Sequence, residues 1–164
     1  MHPTQQTILD RSETPAAVLR HAAVYLWRYG WTTDMFYSYG TDDGDGQAVM
    51  PAACIAGAIR TVVFGEPVDT LFAHAPGPDY DHEGWQANIR AVQATERVLA
   101  DAIRDGETQG DDYTAAMSII GDWNDEHGRT IADVLILLYS TADDWDAAHP
   151  LRRNGSDTSP EVQP

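Results

Sequence analysis

The chain has 164 residues, 43% hydrophobic and 22% charged, which suits one domain with its own core and excludes a wholly disordered polymer. Ten Lys or Arg face 26 Asp or Glu, a formal charge of −16, so direct binding to nucleic acid or to an anionic membrane is not expected, since both need clustered cations. No apolar run approaches the ~20 residues of a membrane span, and a single cysteine forms no internal disulfide, so a cytoplasmic setting is expected.

Residues 1–13 show no apolar period and read as a flexible arm. Thr14-Pro15 then opens a helix over about 15–29: the threonine can cap, and proline in the first turn wastes no amide. Val18, Leu19, Ala22, Ala23, Leu26 and Trp27 recur at helical spacing, and Gly30 supplies the stop. Residues 31–50 carry Trp31, Phe36, Tyr37 and Tyr39 before a Gly and Asp cluster, and read either as a short irregular β-hairpin or as an aromatic-rich loop.

Pro51 is expected to open a second helix running through Ala52, Ala53 and Cys54 to Phe64, with Gly65 at its end. Its small residues, Ala52, Ala53, Ala56, Gly57 and Ala58, allow close packing and predict a central position. Residues 66–82 read as an extended connection, with room for one helical turn at Val68–Ala73. A third helix, about 83–105, places Trp85, Ile89, Val92, Val98 or Leu99, Ala102 and Ile103 on one side. Arg90, Arg97 and Arg104, with Glu96 and Asp101, give it a mixed-charge face that reads as solvated. Tyr113 to Ile120 reads as a short helix.

Thr130-Ile131-Ala132-Asp133 resembles a capping box with Asp in place of the preferred Glu, and starts the last helix. Ile131, Val134, Leu135, Leu138, Ala142 and Trp145 share a stripe that Ile136, Leu137 and Tyr139 widen, so this helix is expected to be surrounded by protein. Asp143, Asp144 and Asp146 oppose the helix dipole and are either tolerated or answered by a basic neighbour. The composition past Ala148 predicts a disordered tail over 148–164. The expected architecture is an all-α single domain at 14–147, a small bundle of four or five helices centred on the helices at 51–64 and 130–145.

Few residues announce chemistry. Asp43-Gly44-Asp45-Gly46 lacks the sixth-position Gly and twelfth-position Glu of a calcium loop and reads as a polar turn. Asp79, Asp81, His82 and Glu83, with His74 nearby, are possible ligands without a repeated spacing, so no metal and no cofactor are expected. Cys54 lies near a helix start, where a thiol pKa can fall, but its small apolar neighbours favour a buried, inert thiol. No nucleophile elbow, phosphate loop or dinucleotide fingerprint occurs.

The most distinctive stretch is Ile120 to Thr130. Trp123, Asn124, Asp125, His127 and Arg129 fit a structural corner that aims the last helix. The same residues, joined by Trp31 and Cys54, are also the candidate binding set for a small ligand.

The order Gly30-Trp31, Cys54-x-x-Gly57-Ala58-Ile59, Trp123-Asn124-Asp125, Gly128-Arg129-Thr130 and Asp133-Val134-Leu135 resembles a family of small proteins from actinobacteria and their phages that carries no assigned activity. The resemblance covers about residues 15–145, leaving aside the connection at 66–82 and the tail. It implies a helical domain from a GC-rich host and no catalytic residue. The leading functional expectation is therefore a non-catalytic interaction or regulatory module that binds a basic host protein. Its rivals are a small-ligand binder or enzyme with a pocket near Trp123–Arg129, and a nucleic-acid mimic that blocks a DNA-binding protein.

Overall fold

A computed structural model describes residues 14–40, 50–71, 81–105 and 113–150. The arm, the Asp43 turn, the connection around His74 and Asp79, and the expected tail beyond residue 150 lie outside these residues, while Ala148, expected to begin that tail, is the last residue of a helix. Five helices account for most of the described chain: α1 Pro15–Tyr29, α2 Ile55–Phe64, α3 His82–Ile103, α4 Tyr113–Asn124 and α5 Ile131–Ala148. The expected all-α class holds, with one small β element added.

Helix α1 begins and ends where expected. The Thr14 side chain accepts from the Ala17 amide at 3.2 Å, and Gly30 closes the helix at a φ of 102°, a conformation L side chains rarely adopt. Ala16, Val18, Leu19, Ala22, Ala23, Tyr25 and Leu26 form its buried face.

The start of α2 differs from expectation. Pro51 does not open the helix: Ala52–Ala53 is a strand, β2, antiparallel to β1 at Tyr37–Ser38, with Tyr37 opposite Ala53. The chain leaving α1 takes the other side of β2, where Ala53 donates to the Gly30 carbonyl at 3.1 Å and accepts from the Thr32 amide at 3.0 Å. These long-range backbone bonds override the helical preference of two alanines. Cys54 is consequently the N-cap rather than an interior residue, its Sγ accepting from the Gly57 amide at 3.4 Å. The aromatic segment does contain a strand, but its partner lies beyond residue 50.

Every residue from Ile55 to Thr61 is buried, so the small-residue helix is central as expected. Gly57 is required there, because a Cβ would collide with the Phe36 carbonyl oxygen and press on Tyr37 and Ala53. Helices α1, α2 and α3 contact one another; α4 covers α3 and α2, and α5 lies chiefly against α1.

Helix α5 corrects the expectation of a surrounded rod. Only Val134, Leu138, Thr141 and Ala142 are buried, while Ile136 is 67% and Tyr139 42% exposed. Its apolar excess serves two surfaces, one packed on α1 and one open. The capping box forms in both directions: the Thr130 amide donates to Asp133 Oδ2 at 2.9 Å, and the Asp133 amide donates to Thr130 Oγ1 at 3.3 Å. The acids at its far end have a basic neighbour, Arg20 of α1, whose guanidinium donates to Asp143 at 2.6 Å and to Asp146 at 2.7 Å.

Candidate functional site

The candidate residues meet where α4 ends and α2 begins. Asn124, the last residue of α4, is 1% exposed and uses both ends of its amide. Its Oδ1 accepts from the Trp31 indole Nε1 at 2.8 Å and from the Ile55 amide at 3.2 Å; its Nδ2 donates to the Thr32 carbonyl at 3.2 Å and to Asp125 Oδ1 at 2.7 Å. The Ile55 amide is one of the free donors of the α2 N-terminus, so Asn124 also serves as a remote cap. Four bonds exhaust the side chain. It is a staple joining α4, α2 and the segment after α1.

Asp125 continues this staple outward. Its Oδ1 also accepts from the Asp34 amide at 3.0 Å, which holds Asp34 at a φ of 65°, a left-handed conformation that Asp tolerates better than most residues. Asp34 and Asp125 are both exposed and stand together at one rim.

Below that rim opens a cleft of about 250 Å³. Met35, Phe36, Ala56, Met117 and Ile120 give it apolar walls; Asp34, Asp125, Cys54, Asn124 and Gly121 complete the lining. Of the seven candidates from sequence, Cys54, Asn124 and Asp125 line this cleft, and Trp31 is bonded to it through Asn124. Trp123, His127 and Arg129 are placed elsewhere. The Arg129 guanidinium lies 3.6 Å from the Trp123 ring centre, its Nε donates to the Trp123 carbonyl at 3.0 Å, and it pairs with Glu126. Gly128, at a φ of 88°, allows that turn, and His127 is exposed. These three residues close the α4–α5 corner.

The cleft offers little for covalent chemistry. Burial pushes the Cys54 thiol pKa up, against the opposing pull of the Gly57 and Ala56 amides and the charge of Arg60. A thiol kept protonated at neutral pH is a poor nucleophile. The saturated Asn124 amide has no donor left for an incoming oxygen.

Behind two of the walls lies a buried polar cluster that the sequence reading missed. Arg60 of α2 is 5% exposed, with its guanidinium 4.3 Å from the Phe36 ring centre. It donates to the Asp69 carbonyl at 2.8 Å and to the Tyr113 hydroxyl at 3.2 Å, and its Nη2 lies 3.8 Å from Met117 Sδ. Its Nε lies 3.8 Å from Glu96 Oε1 of α3, a carboxylate with no accessible surface. Burial pushes the Glu96 pKa up to about 7, although Arg60 and the Tyr113 hydroxyl both pull it down. Glu96 is thus not on a solvated face, as its charged neighbours suggested. It stands four residues after Val92 and three before Leu99, within the apolar stripe of α3, and that spacing was the available signal.

Among the described residues, no group of three or more His, Cys, Asp or Glu is placed to hold a metal ion, and no helix is long and apolar enough to cross a membrane. Asp81 caps α3, accepting from the Gly84 amide at 2.9 Å. No curated protein and no solved structure matches the chain. A family model does: the chain belongs to a family of unknown function, DUF6197, whose model matches residues 10–144.

Proposed function

We propose that this family member is a non-catalytic binding module whose cleft receives the side chain of a basic partner protein, an arginine or lysine with its alkyl stem. The observation that carries this reading is the make-up of the cleft: apolar walls of Met35, Phe36, Ala56, Met117 and Ile120 beneath the two carboxylates of Asp34 and Asp125. A long cationic side chain is apolar along its stem and charged at its head, and buries the one while the other stays near water. The chain's charge of −16 draws such a partner in and speeds encounter.

A binding rather than catalytic role is supported by the protonated thiol of Cys54 and the fully engaged amide of Asn124. A cytoplasmic setting in a GC-rich actinobacterial or phage context belongs to the same reading. Its support is compositional: one cysteine, and ten basic residues that are all arginine.

Calorimetric titration of the full chain tests this with two short capped peptides, one carrying a central arginine and the other glutamine in its place. Binding of the arginine peptide alone, abolished by Met117→Arg, supports the reading. Equal binding of both peptides, or of neither, overturns it.

A further inference from the structure

The face formed by α1 and α5, away from the cleft, exposes four large apolar side chains: Trp27 at 75%, Ile136 at 67%, Val24 at 53% and Tyr139 at 42%. They belong to one surface. Arg20 bridges to Asp143 and Asp146, which fixes the start of α1 beside the end of α5. At the opposite end, Trp31 just after α1 is bonded to Asn124, a few residues before α5 begins, so the two helices run antiparallel. Seven residues separate Arg20 from Trp27, and seven separate Asp143 from Ile136. At an equal rise per residue, Val24 and Trp27 come level with Tyr139 and Ile136. A contiguous apolar patch containing an exposed tryptophan marks an interaction surface.

The edges of this patch select its occupant. By helical periodicity Arg28 falls on the side of α1 turned away from α5, and Asp133 and Asp144 fall on the side of α5 turned away from α1; all three are exposed, and the Arg28 guanidinium lies 5.3 Å from the Tyr29 ring centre. The patch is therefore bounded by positive charge on one side and negative charge on the other. Two copies can be laid face to face about a two-fold axis in two ways. An axis across the helices sets α1 on α1 and like charges on like. An axis along the helices sets α1 of one copy over α5 of the other, so that Arg28 of each copy meets the acidic edge of its mate and the apolar side chains meet in the middle.

We infer that this face is a homodimer interface in which α1 of each copy packs over α5 of the other. Paired use of one self-complementary patch is the usual form of a two-fold dimer. The charge of −16 on each chain opposes association, and physiological salt, with a screening length of about 8 Å, removes most of that repulsion between distant charges.

Sedimentation velocity of the full chain across micromolar concentrations at 0.15 M salt tests the inference. The expected result is a concentration-dependent dimer. Trp27→Asp and Arg28→Glu should each raise its dissociation constant by about tenfold or more, with unchanged far-ultraviolet circular dichroism, since both side chains are exposed. Asp34→Asn, at the cleft, should leave it unchanged. A chain that stays monomeric, or a dimer indifferent to Trp27→Asp or to Arg28→Glu, overturns the inference.

Discussion

The indole of Trp31 donates to the amide oxygen of Asn124 across 2.8 Å and 93 residues of chain. That contact, with the Ile55 amide on the same oxygen, ties the segment after α1 to the end of α4 and the start of α2. Asn124→Ala removes the acceptor of two donors and the donor to two oxygens inside a site that is 1% exposed. A buried donor left unsatisfied costs about 1–3 kcal/mol, so the variant should lose about 3 kcal/mol in urea denaturation. A loss below about 1 kcal/mol would show that the staple contributes little.

Tyr37 links the small sheet to α2 and to the loop beyond it. Its hydroxyl donates to the Gly57 carbonyl and accepts from the Val68 amide, each at 3.0 Å. Tyr37→Phe leaves that amide without its partner in a buried position and should destabilise the fold by about 1–2 kcal/mol. Chemical denaturation at pH 7 measures this directly.

Gly57→Ala tests the closeness of α2 to the aromatic segment. The added methyl meets the Phe36 carbonyl oxygen, which is backbone and is itself bonded to the Cys54 amide at 3.0 Å. Alanine ordinarily favours a helix, yet overpacking here should cost about 1–3 kcal/mol. A rise in melting temperature would refute the tight approach.

Glu96 should set a pH dependence. Its pKa is raised from 4.5 to about 7 by burial, so the folded protein holds this proton more tightly than the unfolded chain does. The stability it contributes is therefore complete below about pH 4.5 and is lost as pH rises towards 7. The loss is on the order of 3 kcal/mol. Glu96→Gln keeps the shape without the charge, and its stability should change less between pH 5 and pH 8 than that of the parent chain. Urea titrations of both proteins at several pH values across that interval make the comparison.

Cys54→Ser replaces a weak sulfur acceptor with a preferred N-cap hydroxyl over the Gly57 amide. Thermal stability should be unchanged or slightly raised, and binding of the arginine peptide should persist. Loss of binding with the thiol would point to covalent chemistry at this position.

What the sequence made legible was local. Thr14, Gly30, Thr130 and Asp133 mark helix ends through their own backbones, and all four act as their residue types predict. The start of α2 was not legible, because Ala52 and Ala53 are strand only by virtue of bonds to Gly30, Thr32 and the β1 strand. The Trp123 to Arg129 stretch stood out as one block, yet it divides between two tasks: Asn124 turns inward and Asp125 borders the cleft, while Arg129 covers Trp123. Met35, Phe36 and Met117, which belong to the apolar cleft wall, carry no signature, since a pocket is formed by residues distant in sequence. Glu96 was misread because its charge drew attention from its position in an apolar stripe.

The clasp between Arg20 and the two aspartates near the end of α5 has a consequence for the order in which the protein is built. Helix α1 leaves the ribosome more than a hundred residues ahead of α5, the helix that packs chiefly against it. Until α5 is translated, the α1 surface packed against it lacks that cover. A product halted before residue 131 would leave that surface open and be a natural client for chaperones and proteases.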